Sequence, residues 1–597
     1  MSIDLEAGRK PATPSVASTG AQGERNITAS LSDAATVEGH SNTTTDHDDD
    51  DNNNNGRRTA TSASDSADEP PSTTAMEKVP TAQDAAGAAA GFSGVATAPT
   101  AAAVDVDAAA NAAVITAVNT ATGRSVTWEW HADPANPYNW SKSRKWAQVG
   151  CVGAMAFAAS INSSIMSPAH ATLMREFNVG STAAILPLTM YVLALGIGPV
   201  VIGGPLSETV GRYIIFALST PCGVLFTIGA ALCPTSSLGG LCVLRFLAGF
   251  ALSPSISISA GVLTEIFLPA DRGPPVAIFI LTPFLGPGMG PVLGAFAMRK
   301  GWRWTQWTAA LFAGVTLVFF YIFGRETYHP VVKRRRAREL GLTLPPEELP
   351  PVMPWTRHLS DFLTVGLIRP LHMFLREPIV GLTCLYVACE FATLFSFFAA
   401  VPYVFGVVYG FGPEQSGLVF LSIVVGCMLS VVTVVACDIF FYRKRQMPRH
   451  HPNPPPPEHR LYAAMIGSVG LPAGLFWFGW SAFATHGGAA HRHVSWVSPV
   501  LAIVPFAWGN LSIFISLFQY MGDTYNGSLV ASAASANCLV RYLLAGVFPL
   551  FILQMYGRLG IGWASSLLGF IAVGLLPVPW LFFRFGPSIR ARSRYIK

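Results

Sequence analysis

The chain is 597 residues long, 51% hydrophobic and only 12% charged, about half the charged share of an ordinary soluble chain. That excludes a water-soluble enzyme and points to a membrane protein. The net charge of +5 hides a division of sign, because about 19 of the 34 acidic residues but only about 7 of the 39 basic ones precede Pro134. Residues 1–140 are rich in Ala, Ser, Thr, Asp, Asn and Gly. Such a segment buries too little apolar surface to offset the entropy of ordering. It is expected to be a disordered cytoplasmic tail, since its opening MSIDLEAGRK lacks the basic and apolar regions of a cleavable secretory signal.

Apolar runs long enough to cross a bilayer then follow one another. In the first half they fall near 147–168, 182–203, 212–232, 238–262, 274–298 and 303–324; in the second they fall near 379–405, 415–437, 461–482, 497–520, 528–553 and 562–585. Twelve helices in two six-helix bundles, 141–325 and 377–586, are expected. A central loop (326–376) joins them and a basic tail (587–597) follows. Lys and Arg are enriched in short cytoplasmic loops. They gather at Lys142, Arg144 and Lys145, from Lys333 to Arg338, from Arg443 to Arg445, and from Arg590 to Lys597. Both termini are therefore expected in the cytosol, and the clusters face anionic lipid rather than nucleic acid. The nine cysteines form no C-x-x-C pair, which argues against a disulfide scaffold or a zinc site. His486, His491 and His493 fall in a loop expected to be external, without an acidic partner, so no metal is expected there.

Four sets of residues carry more than hydropathy. Gly204-Pro205-Leu206-Ser207-Glu208-Thr209-Val210-Gly211-Arg212 lies between the second and third runs. Leu244-Arg245-Phe246-Leu247-Ala248-Gly249 lies in the fourth, where an arginine is costly unless it is paired or faces water. The fifth carries Gly286-Pro287-Gly288-Met289-Gly290-Pro291-Val292-Leu293-Gly294-Ala295, whose glycines at every fourth position open one helix face to close contact. Flanking stretches run from Asp133 to Trp140, Glu326 to Tyr328, Pro457 to Leu461, and Ala533 to Asn537 with Arg541 and Phe548-Pro549-Leu550. In this order, from about Trp128 to the C-terminus, they resemble the signatures of the major facilitator superfamily, and more closely its fungal twelve-span drug:proton antiporter branch. The resemblance implies a conformational lock at Gly204, Glu208, Gly211, Arg212 and Glu265, with Tyr213 replacing a usual basic residue. It also implies proton coupling through Arg245, and an antiporter motif at Gly286, Pro287, Gly290, Pro291 and Gly294, with Ala295 replacing a final glycine.

No phosphate loop is present, so export would draw on an ion gradient, without a cofactor. A proton-coupled carrier needs a group that titrates inside the membrane. Glu390 is the candidate on physical grounds alone, with a structural acid as the alternative. Tyr386, Thr393 and Phe397 share its helix face, and that face is expected to line the cavity. A carboxylate beside aromatic rings suits lipophilic and cationic compounds. Asn162, Asn537 and Arg541 are further candidates for substrate contact, or for interhelical bonding. Asp438, at a helix end, calls for no functional role. The expectation is a monomeric plasma-membrane exporter, not an enzyme, with a small molecule and protons as its partners amid lipid. An importing facilitator or symporter and a receptor signalling through its tail are the alternatives.

Overall fold

Inside a bilayer an apolar run keeps its backbone hydrogen bonds satisfied by coiling into a helix. The computed structural model describes residues 114–595 except 204, 269, 270, 272, 346, 347, 349–361, 444–455, 487–493, 526, 527 and 594. The segment before residue 114, Gly204, Lys444, Arg445 and the side chains of Glu208, His486, His491 and His493 lie outside the described residues. Among the described residues, eleven apolar helical segments are long enough to span a membrane. The last, Leu529–Arg592, holds two spans, because the backbone leaves helical geometry at Gly560, with φ 77° and ψ 163°. The protein is thus a multi-pass membrane protein of twelve helices, six in each half. The first half comprises Lys142–Ser164, Ser181–Gly198, Arg212–Leu232, Leu238–Ile266, Gly273–Ala297 and Arg303–Phe323. The second begins with Pro378–Tyr409, Pro413–Tyr442, Tyr462–His486 and Val497–Thr524.

Prolines inside these helices leave carbonyls that neighbouring side chains satisfy. Ser160 Oγ of the first span donates to Pro283 O of the fifth, the carbonyl that Pro287 leaves without its helical donor, while Arg245 Nε reaches Pro187 O, a carbonyl inside the second span, at 3.4 Å. The fifth span packs against the eighth and the second on the eleventh, so these four helices form much of the seam between halves.

Where the first span starts, on what we call the near face, the structure departs from the expected 1–140 tail. Residues 114–140 are folded. Strands β1 (Val114–Asn119) and β2 (Ser125–Glu129) form an antiparallel hairpin, and β3 (Leu342–Thr343) from the central loop pairs with β1, giving the order β2-β1-β3. Alternation explains it: Ile115 and Ala117 point inward with Trp128 and Trp130, covering Ala337 of the helix His329–Glu339 and Leu344. Asp133 accepts from Trp128 Nε1 at 3.1 Å and pairs with Arg336 at 3.3 Å, so two segments about 200 residues apart are clasped together. Trp130→Ala should empty this small core, a truncation that costs about 3–5 kcal/mol in a packed site. Limited proteolysis should then cut between residues 114 and 140 while the helical bundle stays intact; unchanged resistance would show that the clasp does not depend on that core. Deleting residues 1–125 as a test of tail function removes β1, so a cut ending before Val114 is the cleaner one.

Candidate transport cavity and its charged networks

Between the halves lies a cavity of about 420 Å³. It reaches towards the near face, where Arg212, Thr264 and Val530 line it, and extends inward to Ser160, Phe284, Phe391 and Arg541. Among the described residues, the hydrogen bonds that join the halves cluster on the far side. Ser167 Oγ donates to Phe398 O at 2.5 Å and Thr189 Oγ1 to Gly546 O at 3.0 Å, while Arg299 grips Glu414 with bonds of 2.5 and 2.6 Å. The conformation is open on the near side and closed on the far side.

The seventh span presents a different face to this cavity from the one the sequence suggests. Phe391, Leu394 and Phe395 line it, whereas Tyr386, Glu390, Thr393 and Phe397 turn into the second half. Phe397 packs on Phe478 and Phe506 of the ninth and tenth spans. Glu390 is only 1% exposed, and neither carboxyl oxygen has a hydrogen-bond partner among the described residues. Its backbone carbonyl accepts from Asn510 Nδ2 at 3.0 Å. Asn537 and Arg541 do line the cavity, and Arg541 lies 4.5–4.9 Å from the ring centres of Tyr542, Phe391 and Phe514. The described lining holds Arg212 and Arg541 and no carboxylate. Arg212 is paired with Glu265, so Arg541 gives this wall its positive charge, contrary to an attraction for cations.

Arg245 is fully buried inside the first half, and Asn162 is its partner rather than a lining residue. The guanidinium donates to Asn162 Oδ1, to Asn162 O at 2.7 Å and to Gln306 Oε1 at 3.2 Å, and rests over the Tyr191 ring at 4.4 Å. Asn162 Nδ2 reaches Thr227 Oγ1 at 3.2 Å. These contacts knit the first, second, third, fourth and sixth spans through neutral groups, which compensate a buried cation. An arginine does not release its proton under these conditions, and no carboxylate is in contact with this one among the described residues. That geometry serves positioning better than the proton coupling expected of Arg245.

The near-face lock is more extensive than its motif. Arg212 Nε pairs with Glu265 Oε1 at 3.0 Å, Nη1 donates to Ser207 Oγ, and Thr327 Oγ1 donates to Glu265 Oε2 at 2.6 Å. Glu326, which the sequence marks only as part of a flanking signature, caps the third span. It accepts from the backbone N–H groups of Arg212 and Tyr213, each at 3.0 Å, and from those of Thr327 and Tyr328. A side chain at Gly211, where φ is 106°, would collide with Glu326 Oε2. Glu326→Ala should cost about 1–2 kcal/mol, the range of a lost helix cap, read as a lower melting temperature of the purified protein with Glu326→Gln in between. An unchanged melting temperature would assign those N–H groups to solvent. In the second half Arg460 bridges Asp438 at 3.0 Å and Asp523 at 2.8 Å, and Arg590 forks onto Glu458 at 2.9 and 3.0 Å. Asp438 thus has a partner that its place in the sequence did not suggest; the signal was the Glu458-His459-Arg460 run.

Charged networks at one face of two six-helix halves, with a cavity between those halves, are features of a transporter fold. The sequence profile of the Major Facilitator Superfamily matches residues 152–549. The chain belongs to the major facilitator superfamily. Its relatives are fungal transporters. It is 33% identical over 498 residues to polyamine transporter 4 of Saccharomyces cerevisiae, an alignment covering 79% of this chain and 73% of that one. To the multidrug transporter mdrA of Aspergillus fumigatus it is 36% identical, covering 78% and 74%. To the efflux pump FUBT of Fusarium oxysporum it is 35% identical, covering 76% and 74%. Among solved structures the D-xylose-proton symporter superposes with a TM-score of 0.53 at 16% identity, over 74% of this chain and 98% of that one, a likeness of fold alone. As a superfamily member the protein is a membrane transporter of small molecules rather than an enzyme.

Proposed function

We propose that the protein exports uncharged lipophilic compounds from the cytosol in exchange for protons, with Glu390 as the proton-carrying group. One observation carries this reading: a largely apolar, aromatic cavity open on one side only, with a buried carboxyl lacking any hydrogen-bond partner beside it. The Lys and Arg clusters support a cytosolic near face, which would be the cavity's loading side, and the names of relatives that are efflux pumps support the outward direction. A polyamine, the cargo in the yeast relative's name, would need acceptors for several positive charges, and the described lining offers arginines instead. The halves would rock about the cavity as the far-side bonds at Ser167, Thr189 and Arg299 break and the near-side helix ends come together. In our reading the site is the plasma membrane.

The test is flux. Proteoliposomes with an imposed acidity difference should move an uncharged aromatic dye against its gradient, and fungal cells lacking the protein should accumulate more of it. Lower accumulation in those cells would reverse the direction. No dye movement under any acidity difference would remove proton exchange.

A further inference from the structure

Arg541 and Glu390 present an unusual arrangement. Each is almost wholly buried, at 7% and 1% exposure, and each is capable of charge. Arg541 is the charged group that interacts electrostatically with Glu390 from the helices packed around it; the other titratable neighbours, Tyr386 and Cys389, belong to Glu390's own helix. Yet the two form no salt bridge. Among the described residues the Glu390 carboxyl has no hydrogen-bond partner, and Arg541 Nε has none either; the guanidinium makes a long contact of 3.9 Å to Cys538 Sγ and lies against Phe391, Phe514 and Tyr542. We propose that Arg541 is a movable stopper. It covers the aromatic platform of Phe391, Phe514 and Tyr542 while Glu390 is neutral and is drawn off when Glu390 ionises, so that guanidinium and an uncharged aromatic substrate compete for the same rings.

A buried guanidinium here has two alternative partners, a carboxylate or aromatic ring faces. A carboxylate in a dry interior without a partner is costly and takes an available cation. A neutral carboxyl offers that cation little, and the faces of aromatic rings then hold it better. Phe391 is the residue next to Glu390, so the ring that holds the guanidinium and the carboxyl that would draw it off belong to one turn of one helix. With Arg541 withdrawn, the rings and the neighbouring Phe284, 5.3 Å from Phe391, form an apolar slot at the cavity wall. Proton and substrate then exclude each other, which is the condition for exchange rather than cotransport. The substrate class follows: a flat, uncharged aromatic lipophile, with cations disfavoured by the retained arginine. This mechanism deepens the export reading and rests on it for direction.

The test uses full-length protein in lipid nanodiscs, with empty nanodiscs as the blank, and tritiated naphthol as the uncharged ring; naphthylmethylamine is its cationic counterpart. Wild-type affinity for naphthol should fall about tenfold from the alkaline end of a pH series to its acid end. Arg541→Gln should bind at the tight level at both ends, and Glu390→Gln at the weak level at both. The amine should bind more weakly than naphthol throughout. The proposal is overturned if Arg541→Gln keeps the wild-type pH dependence, if Glu390→Gln binds as tightly as wild type at the higher pH, or if naphthol shows no saturable binding. Should Arg541→Gln fail to fold, the level at which Glu390→Gln binds decides the matter. The expected binding pattern without gradient-driven flux would leave the stopper standing and remove export; flux with unaltered pH dependence in Arg541→Gln would do the reverse.

Discussion

Glu390→Gln should reduce proton-driven flux by about tenfold to a hundredfold, the range spanned by typical coupling energies between two ligands, while leaving the amount of folded protein unchanged. The two halves of that expectation have separate physical causes. Glutamine matches the shape of a protonated glutamate and carries no charge, so the packing around a side chain that is 1% exposed is retained, as is the Asn510 bond to the backbone carbonyl. What is lost is the ability to alternate between charged and neutral forms, without which protonation cannot bias one orientation of the halves over the other. Flux into proteoliposomes under an imposed acidity difference, beside thermal melting of the same preparation, separates the two. A variant with wild-type flux would place the proton elsewhere. A variant that fails to melt cooperatively would make Glu390 a structural acid.

The second large effect concerns the glycine face of the fifth span. A Cβ at Gly286 would overlap Ser160 Oγ, one at Gly290 would overlap Ser164 Oγ, and one at Gly294 would overlap the carbonyl oxygen of Ile165. A serine side chain can rotate away from an added methyl group; a backbone oxygen moves only with its helix. Gly294→Ala should therefore cost more stability than Gly290→Ala, at the upper end of the about 1–3 kcal/mol typical of overpacking. It should also widen the seam that carries Pro283 and Pro287 at the cavity wall. Melting temperatures of the two variants give the order, and dye flux gives the consequence. Equal melting temperatures would mean that the first span follows the fifth without strain. Ala295, where the motif departs from its usual final glycine, is accommodated from the other side: it meets Gly417 of the eighth span, at which a Cβ would come within 2.5 Å of the Ala295 methyl.

These two cases differ in how much of them could be read from the residues. The glycine face was legible because a repeat of four on a helix names its own face, and a face without side chains has one physical use in a bundle. Glu390 was legible as a buried acid but not as to what it faces. Lipid, helix interface and drug cavity are all apolar, so a membrane helix lacks the polar-to-apolar contrast that tells a soluble helix which side looks inward. A rotation of one residue's worth put Phe391 on the cavity and Glu390 behind it. Arg245 shows the same limit: its cost in the membrane was apparent, but Asn162, Gln306 and Pro187 come from three other helices. Glu326 and the clasp of β1 with β3 were hidden for a related reason, since a cap or a strand partner more than a hundred residues away leaves no local periodicity.

Hydropathy alone dictated twelve crossings and their division into six and six, because a bilayer rejects unpaired backbone and each greasy stretch has one way to satisfy it. The spacing of glycine, proline and arginine then named the family. Which side chains meet across helices was left to the packed bundle: the positive cavity wall, the acid turned away from it, and the arginine poised between ring and carboxyl. Those depend on how each helix is rotated about its own axis, a quantity that contacts between distant segments determine and that no run of neighbouring residues encodes.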